Sequence, residues 1–332
     1  MKKYLSIIII TVLALSLYSY YGISLEDFSN ISIITGAVTG LPEQETEETI
    51  IVETHTNSND IIQVTFCPTG PCEETLLNFI NEAQTTLHCA FYDIGLESVQ
   101  EALRNNAKTI EVQVVTDNEY YDKFPESFVK QDKSAYMHNK FCISDNNKVI
   151  TGSMNPTDNG VNNNDNNLLI INSKTLAENF ELEFQELWNE IFKKGDPNAL
   201  TINFSEQNLT IESYFCPDDD CANEVETEIQ DATESIYFMT FSFTHDGIAN
   251  NILLKNIEGL DIKGVFESRM NSQYSKFDVF DYQEIPVLKD GNSNTMHHKV
   301  FIIDQETVIT GSMNPSNNGV DGNDETLLII HS

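Results

Sequence analysis

One stretch of this chain is written twice. His138-Asn139-Lys140, Asp145 and Gly152-Ser153-Met154-Asn155 reappear as His297-His298-Lys299, Asp304 and Gly311-Ser312-Met313-Asn314. Both copies read H-x-K-x4-D-x6-G-S-x-N without a gap, at an offset of 159 residues. Six specified positions at fixed spacing arise by chance at about one in 10⁷–10⁸ start points. Two copies in one chain therefore mark a duplication, and its traces run further. "TFCPTGPC" returns as "YFCPDDDC" at an offset of 149. The second half thus holds about ten extra residues between Glu267 and Met296. That loop, with Tyr274, Phe277, Phe280 and Tyr282, either borders a pocket or packs on the surface.

Each half alternates strands and helices. "IIQVTF", "HCAFYDI" and "IEVQVVTD" read as strands around the helical "EETLLNFINEAQTTL" and "ESVQEALRNNA". "KFCISDNNKVITGSMN" is two apolar runs around a tight turn, hence strand, turn, strand. His138 and Lys140 share one strand face because side chains alternate. Asp145 and Asp304 close these strands and read as structural. Gly152 lacks a Cβ, which lets a ligand approach the backbone. Ser153, Asn155, Ser312 and Asn314 offer neutral hydrogen bonds. Two such copies facing each other make a pocket for a tetrahedral anion. "KTLAENFELEFQELWNEIFKK" closes the first half as an amphipathic helix, with Trp188 in the core. The divisions are a leader at 1–25, an acidic linker at 26–60, and halves at 61–195 and 205–332. "GDPNALTINFSEQN" reads as the link between the halves.

These motifs resemble the phospholipase D superfamily, in its two-copy form. The resemblance implies an α/β fold: two halves, each a mixed sheet flanked by helices, related by a pseudo-two-fold axis within one chain. It implies a metal-independent phosphodiesterase with no cofactor. One histidine attacks phosphorus and forms a phosphohistidine, and the other protonates the leaving oxygen. Lys140 and Lys299 neutralise the phosphoryl oxygens. Ser153, Asn155, Ser312 and Asn314 bind phosphate. In two-copy relatives the carboxylate after one copy orients the histidine of the other. Glu325 occupies that place in copy two and would hold His138; Asn166, or its neighbour Asp165, would face His297. The catalytic set is thus His138, Lys140, His297, Lys299 and Glu325, with His138 as nucleophile and His297 as general acid. The expected substrate is a phospholipid headgroup ester. An exported endonuclease with nucleic acid as substrate is the alternative, and a cardiolipin-synthase-like transferase follows. In that transferase an Asp and then Arg-Ser usually succeed the Asn, where this chain has Pro156-Thr157-Asp158.

Charge bears on that choice. The chain carries 18 basic and 52 acidic residues, a net charge of −34. Such a surface repels polynucleotide phosphates and anionic bilayers. Lys2 and Lys3 precede an uncharged run, Tyr4 to Leu25, long enough to span a bilayer. Tyr18, Tyr20 and Tyr21 suit the far interface. This is a signal anchor, or a signal peptide if cleaved, and the rest is exported. Cys67/Cys72 and Cys216/Cys221 are equivalent C-x4-C pairs, read as local disulfides in an oxidising compartment. A shared zinc site would need four ligands together, and the pairs belong to different halves. Cys89 and Cys142 align with Phe238 and Phe301 and read as small buried apolar residues. Asn30, Asn203 and Asn208 stand in glycosylation sequons.

Overall fold

The computed structural model describes residues 49–52, 61–133 and 136–332. The apolar run Tyr4–Leu25 lies outside them, as does Asn30. None of the described helices is long and apolar enough to cross a membrane.

In chain order the elements are β1 (Thr49–Val52), β2 (Ile62–Cys67), α1 (Cys72–Glu82), β3 (Thr86–Phe91), α2 (Glu97–Asn106), β4 (Glu111–Thr116) and β5 (Val129–Gln131). The first motif spans β6 (Lys140–Ser144) and β7 (Lys148–Gly152); then come α3 (Asp158–Asn162), β8 (Asn166–Asn172) and α4 (Lys174–Trp188). The second half brings β9 (Leu200–Phe204), β10 (Leu209–Cys216), α5 (Cys221–Asp231), β11 (Ser235–Thr240), α6 (Asp246–Glu258) and β12 (Asp261–Phe266). It ends with α7 (Phe277–Tyr282), β13 (Val287–Lys289), β14 (Lys299–Ile303), β15 (Thr307–Gly311) and β16 (Glu325–His331).

The duplication is visible in the sheets. One has the order β2-β8-β7-β6-β3-β4-β5, and the other contains the same order as β10-β16-β15-β14-β11-β12-β13. The second sheet is longer by β9 and β1. Both additions depart from the sequence reading, which placed Thr49–Val52 in the linker and Leu200–Phe204 in the link. Thr49–Val52 is "TIIV", a β-branched run amid acidic residues, and it pairs in parallel with Leu200–Asn203.

The motif hairpins turn on residues that tolerate left-handed backbone. Asp145 and Asn146 have φ of 53° and 49°, and Asp304 and Gln305 have 52° and 60°. Each Asp also ties its hairpin to a neighbouring strand. Asp145 accepts from the backbone N–H of Gln84, Thr85 and Thr86 at 2.7–3.1 Å. Asp304 accepts from those of Thr233, Glu234 and Ser235 at 2.7–2.8 Å. These bonds hold both carboxyls below their ordinary range, against the upward push of burial.

Three cores result. α1 and α2 cover the outer face of the first sheet, and α5 and α6 that of the second. The third core lies between the sheets around α4. Ser173 caps α4, its Oγ accepting from Leu176 N at 3.1 Å. Phe180 of α4 packs edge-on against Phe141 of the first sheet at 5.1 Å and Phe215 of the second at 5.0 Å. One side chain therefore joins the halves. In the long loop Phe280 is fully buried and Phe277 packs beside it, whereas Tyr274 and Tyr282 are exposed. For the two phenylalanines the packing reading holds.

All six cysteines are paired. Cys67–Cys72 and Cys216–Cys221 are the local bridges. Cys89 and Cys142 are also bonded to each other, which corrects their reading as merely apolar. They oppose each other directly across β3 and β6, with Cα atoms 4.0 Å apart. Register, not local spacing, creates this pair, so the repeat alignment did not show it.

Phe180→Ala should lower unfolding stability in urea by about 3–5 kcal/mol, because it empties a buried aromatic site between two sheets. A loss under 1 kcal/mol would mean that α4 does not hold the halves together.

Candidate active site

The two motifs meet because each histidine-bearing segment pairs with backbone of the other half. His138 N donates to Asp324 O at 2.9 Å, and Asp324 N to Tyr136 O at 3.0 Å. His297 N donates to Asp165 O at 2.9 Å, and Asp165 N to Thr295 O at 2.9 Å. These are short parallel bridges, Met137 with Asp324 and Asp165 with Met296. Each histidine then faces the first residue of the other half's β8 or β16. Its Nδ1 is held there: His138 by Glu325 Oε2 at 2.7 Å, His297 by Asn166 Oδ1 at 2.9 Å and Ser153 O at 3.0 Å. Asp165 instead accepts from Asn292 Nδ2 at 2.7 Å. A backbone carbonyl only accepts, so Nδ1 of His297 carries the hydrogen. Its Nε2 is left for substrate.

The partners of the histidines are themselves held. Ser312 Oγ donates to Glu325 Oε2 at 2.6 Å and accepts from Thr326 N at 2.9 Å. Ser153 Oγ donates to Asn166 Oδ1 at 2.9 Å and accepts from Asn167 N at 3.1 Å. The serine hydroxyls, expected at the phosphate, thus position the groups behind the histidines. The glycines before them have φ of 143° and 144°. A Cβ on Gly152 or Gly311 would strike the backbone oxygen of Asn167 or Thr326. The close approach they permit is of strand to strand, not of ligand to backbone. Asn155 and Asn314 differ from the serines: their Oδ1 atoms are buried without a protein partner.

Lys140 and Lys299 begin β6 and β14, and each Nζ donates to its own motif's histidine carbonyl, at 2.5 and 2.8 Å. Burial pushes Lys140 down to about 7 and Lys299 well below its ordinary value. Burial, helped by the two lysines, also holds both imidazoles neutral. Glu325 is pushed up to about 7 by burial, against the pull of Lys140 and its hydrogen bonds. The cleft is short of negative charge, and a bound phosphodiester anion would supply it.

Several contributors escaped the sequence reading. The edge of Tyr92 meets His138 at 4.9 Å and the edge of Phe241 meets His297 at 4.9 Å. The ammoniums of Lys140 and Lys299 lie 5.4 and 4.9 Å from the same two rings. Both aromatics directly follow an equivalent strand, and the shared offset was the available signal. Glu267 is fully buried and accepts from Met296 N at 2.6 Å, which fixes the segment entering the second motif. Asp145 and Asp304 sit at the opposite ends of β6 and β14 from the lysines. Among the described residues one group has metal-ligand spacing, Glu212, Glu228 and His331. It belongs to β10, α5 and β16, away from the histidine pair.

Comparison with known proteins agrees with this geometry. The family described as "Cardiolipin synthase, PLD-like domain" matches residues 76–188 and 225–332. The mitochondrial cardiolipin hydrolase of Xenopus tropicalis is 30% identical over 138 residues, 37% of this chain and 66% of that protein. A phospholipase D of Rickettsia prowazekii is 26% identical over 121 residues, 36% of this chain and 59% of that protein. The match thus spans under two thirds of either relative's length. In fold, the chain is similar to phosphatidylserine synthase of Haemophilus influenzae, with a TM-score of 0.63 at 12% identity over 83% of this chain and 85% of that one. With both family segments matched and both motifs brought into one cleft, the chain belongs to the phospholipase D-like family.

Proposed function

We propose that this protein is a phosphodiesterase that hydrolyses a phospholipid headgroup ester through a phosphohistidine. One observation carries the assignment of roles: Nδ1 of His138 meets a carboxylate, whereas Nδ1 of His297 meets neutral oxygens. The phosphoryl group lies between Lys140 and Lys299, where Asn155 and Asn314 could donate to it through Nδ2. His138 Nε2 attacks phosphorus and gains positive charge, which Glu325 stabilises from the far side of the ring. His297 is neutral before substrate binds, and the bound diester anion favours its imidazolium. Protonated on Nε2 in that complex, it gives that proton to the leaving oxygen as the phosphorus–oxygen bond breaks. It then takes a proton from water as the water oxygen displaces His138. An alcohol in place of water would make the same site a transferase.

The charge of −34 disfavours polynucleotide, and lipid is favoured by the Tyr4–Leu25 run, which we read as an anchor holding the catalytic region outside the cytoplasm and beside a bilayer. The names of the relatives, cardiolipin hydrolase and phospholipase D, point the same way. The anchor reading predicts that the full chain stays in the membrane pellet after alkaline carbonate washing; release into the supernatant would refute it.

The function is tested by offering phospholipid vesicles and single-stranded DNA to the full chain in EDTA, with His138→Asn as blank. Lipid cleavage alone is expected, and DNA cleavage alone would make the protein a nuclease. With a substrate bearing a good leaving group, His297→Asn should trap labelled phosphoenzyme and His138→Asn should form none. The reverse pattern would exchange the roles.

Asn166→Glu should alter the pH profile. A carboxylate beside His297 favours its protonated form, so its pKa rises. The alkaline limb of kcat, which reports loss of the general acid, should then move to higher pH. A shift of the acid limb instead would make His297 the nucleophile.

A further inference from the structure

The pseudo-symmetry leaves one broad face unmatched. In the first half α4 covers the inner face of the sheet. In the second, α4 and the core around it reach β9, β10 and β16, and no described helix covers the part made by β11 to β15. Met239, Val265, Val300, Ile302 and Val308 occupy the places that Ala90, Val115, Phe141, Ile143 and Val149 hold beneath α4. They line two apolar cavities of about 520 and 510 Å³, which share Met239, Val300 and Ile302. Phe215, buried under Phe180, has Phe66 as its counterpart, and Phe66 is 55% exposed. Leu288, on the same face, is 70% exposed. A contiguous apolar surface of this kind marks a contact site.

Two observations say what covers it. The groove is continuous with the inter-half core: Ile61, Leu169 and Ile330 line one cavity and also belong to the core around α4. That interface is made by a helix packed on a sheet. Charge is the second. In the first half Glu181 of α4 bonds His88 Nδ1 at 2.9 Å. Tyr237 is the counterpart of His88, and Lys263 projects into the groove beside it, where the first half has the neutral Gln113. Lys263 pairs with Asp261 at 2.7 Å, as His88 lies near Glu111, and a carboxylate at Glu181's place would reach the same ammonium from the groove side. A second copy is disfavoured, because each would bring a charge of −34.

We propose that this face receives an amphipathic helix of a partner polypeptide, about four turns long, with an aromatic residue at Phe180's place and a carboxylate at Glu181's. The probe is a peptide with the sequence of residues 173–189, labelled with fluorescein. It is stapled through positions 178 and 182, both solvent-exposed on α4. Fluorescence anisotropy should show saturable binding to the full chain. Leu288→Glu, at an exposed position outside the catalytic cleft, should weaken it at least tenfold. Glu181→Lys in the peptide should weaken it several-fold, and Lys263→Glu in the protein should recover most of that loss. Absence of saturable binding up to about 1 mM, or no response to these substitutions, would overturn the proposal. So would a dimer in light scattering that Leu288→Glu disperses, since the face would then belong to a second copy.

Discussion

Four backbone hydrogen bonds between the halves decide whether this site exists. They run between Tyr136–His138 and Asp324, and between Thr295–His297 and Asp165. Neither half contains a complete histidine site, because each ring is oriented by the other half's strand. A shift of one residue in either bridge would turn Glu325 or Asn166 to the opposite face of its strand, away from the ring. The Gly-Ser steps act behind this. The glycines let β7 approach β8, and β15 approach β16, closely enough for a serine hydroxyl to reach the residue that holds the histidine. The chemistry of the cleft thus depends on strand spacing set outside it.

The acidic surface and the cationic cleft do not contradict each other. Exposed charges are screened over about 8 Å at physiological ionic strength, while the buried lysines act at hydrogen-bond range in a poorly polarisable environment. The surface governs which molecules approach, and the cleft governs what happens to a diester once seated. This separation explains why net charge informs the choice of substrate class and says nothing about the reaction.

Much of this was legible because it is written in local spacing. The repeat located the two motifs, the turn residues located the hairpins, and family resemblance placed Glu325 against His138. Where sequence reasoning fell short, the missing information was register. Cys89 and Cys142 are 53 positions apart and bond only because β3 and β6 align them. Thr49–Val52 becomes a strand because β9 offers an edge, which nothing in an acidic neighbourhood announces. The serines looked like phosphate ligands because a hydroxyl in a motif advertises a hydrogen bond. Its direction depends on a strand laid down 13 residues later. Tyr92 lay within an apolar strand in the sequence, and only the packing of the Tyr92 and Phe241 rings on the histidines gives them a place in the site.

The departure at Asn166 is best understood by counting charge among the groups bonded to the histidines and the lysines beside them. Glu325 is one carboxyl facing two amines, Lys140 and Lys299, and burial pushes all three toward their neutral forms. Burying an unbalanced charge is unfavourable, and the depressed lysines express that strain. The single negative charge of a phosphodiester favours the charged forms of both lysines and of His297. A second carboxylate at position 166 would compete with the bound diester for the same cationic groups. It would also give both histidines the same kind of partner and erase the difference on which we base the assignment of nucleophile and acid. One amide in place of one carboxylate therefore does two things: it leaves room for the charge of the substrate, and it breaks the equivalence that duplication created.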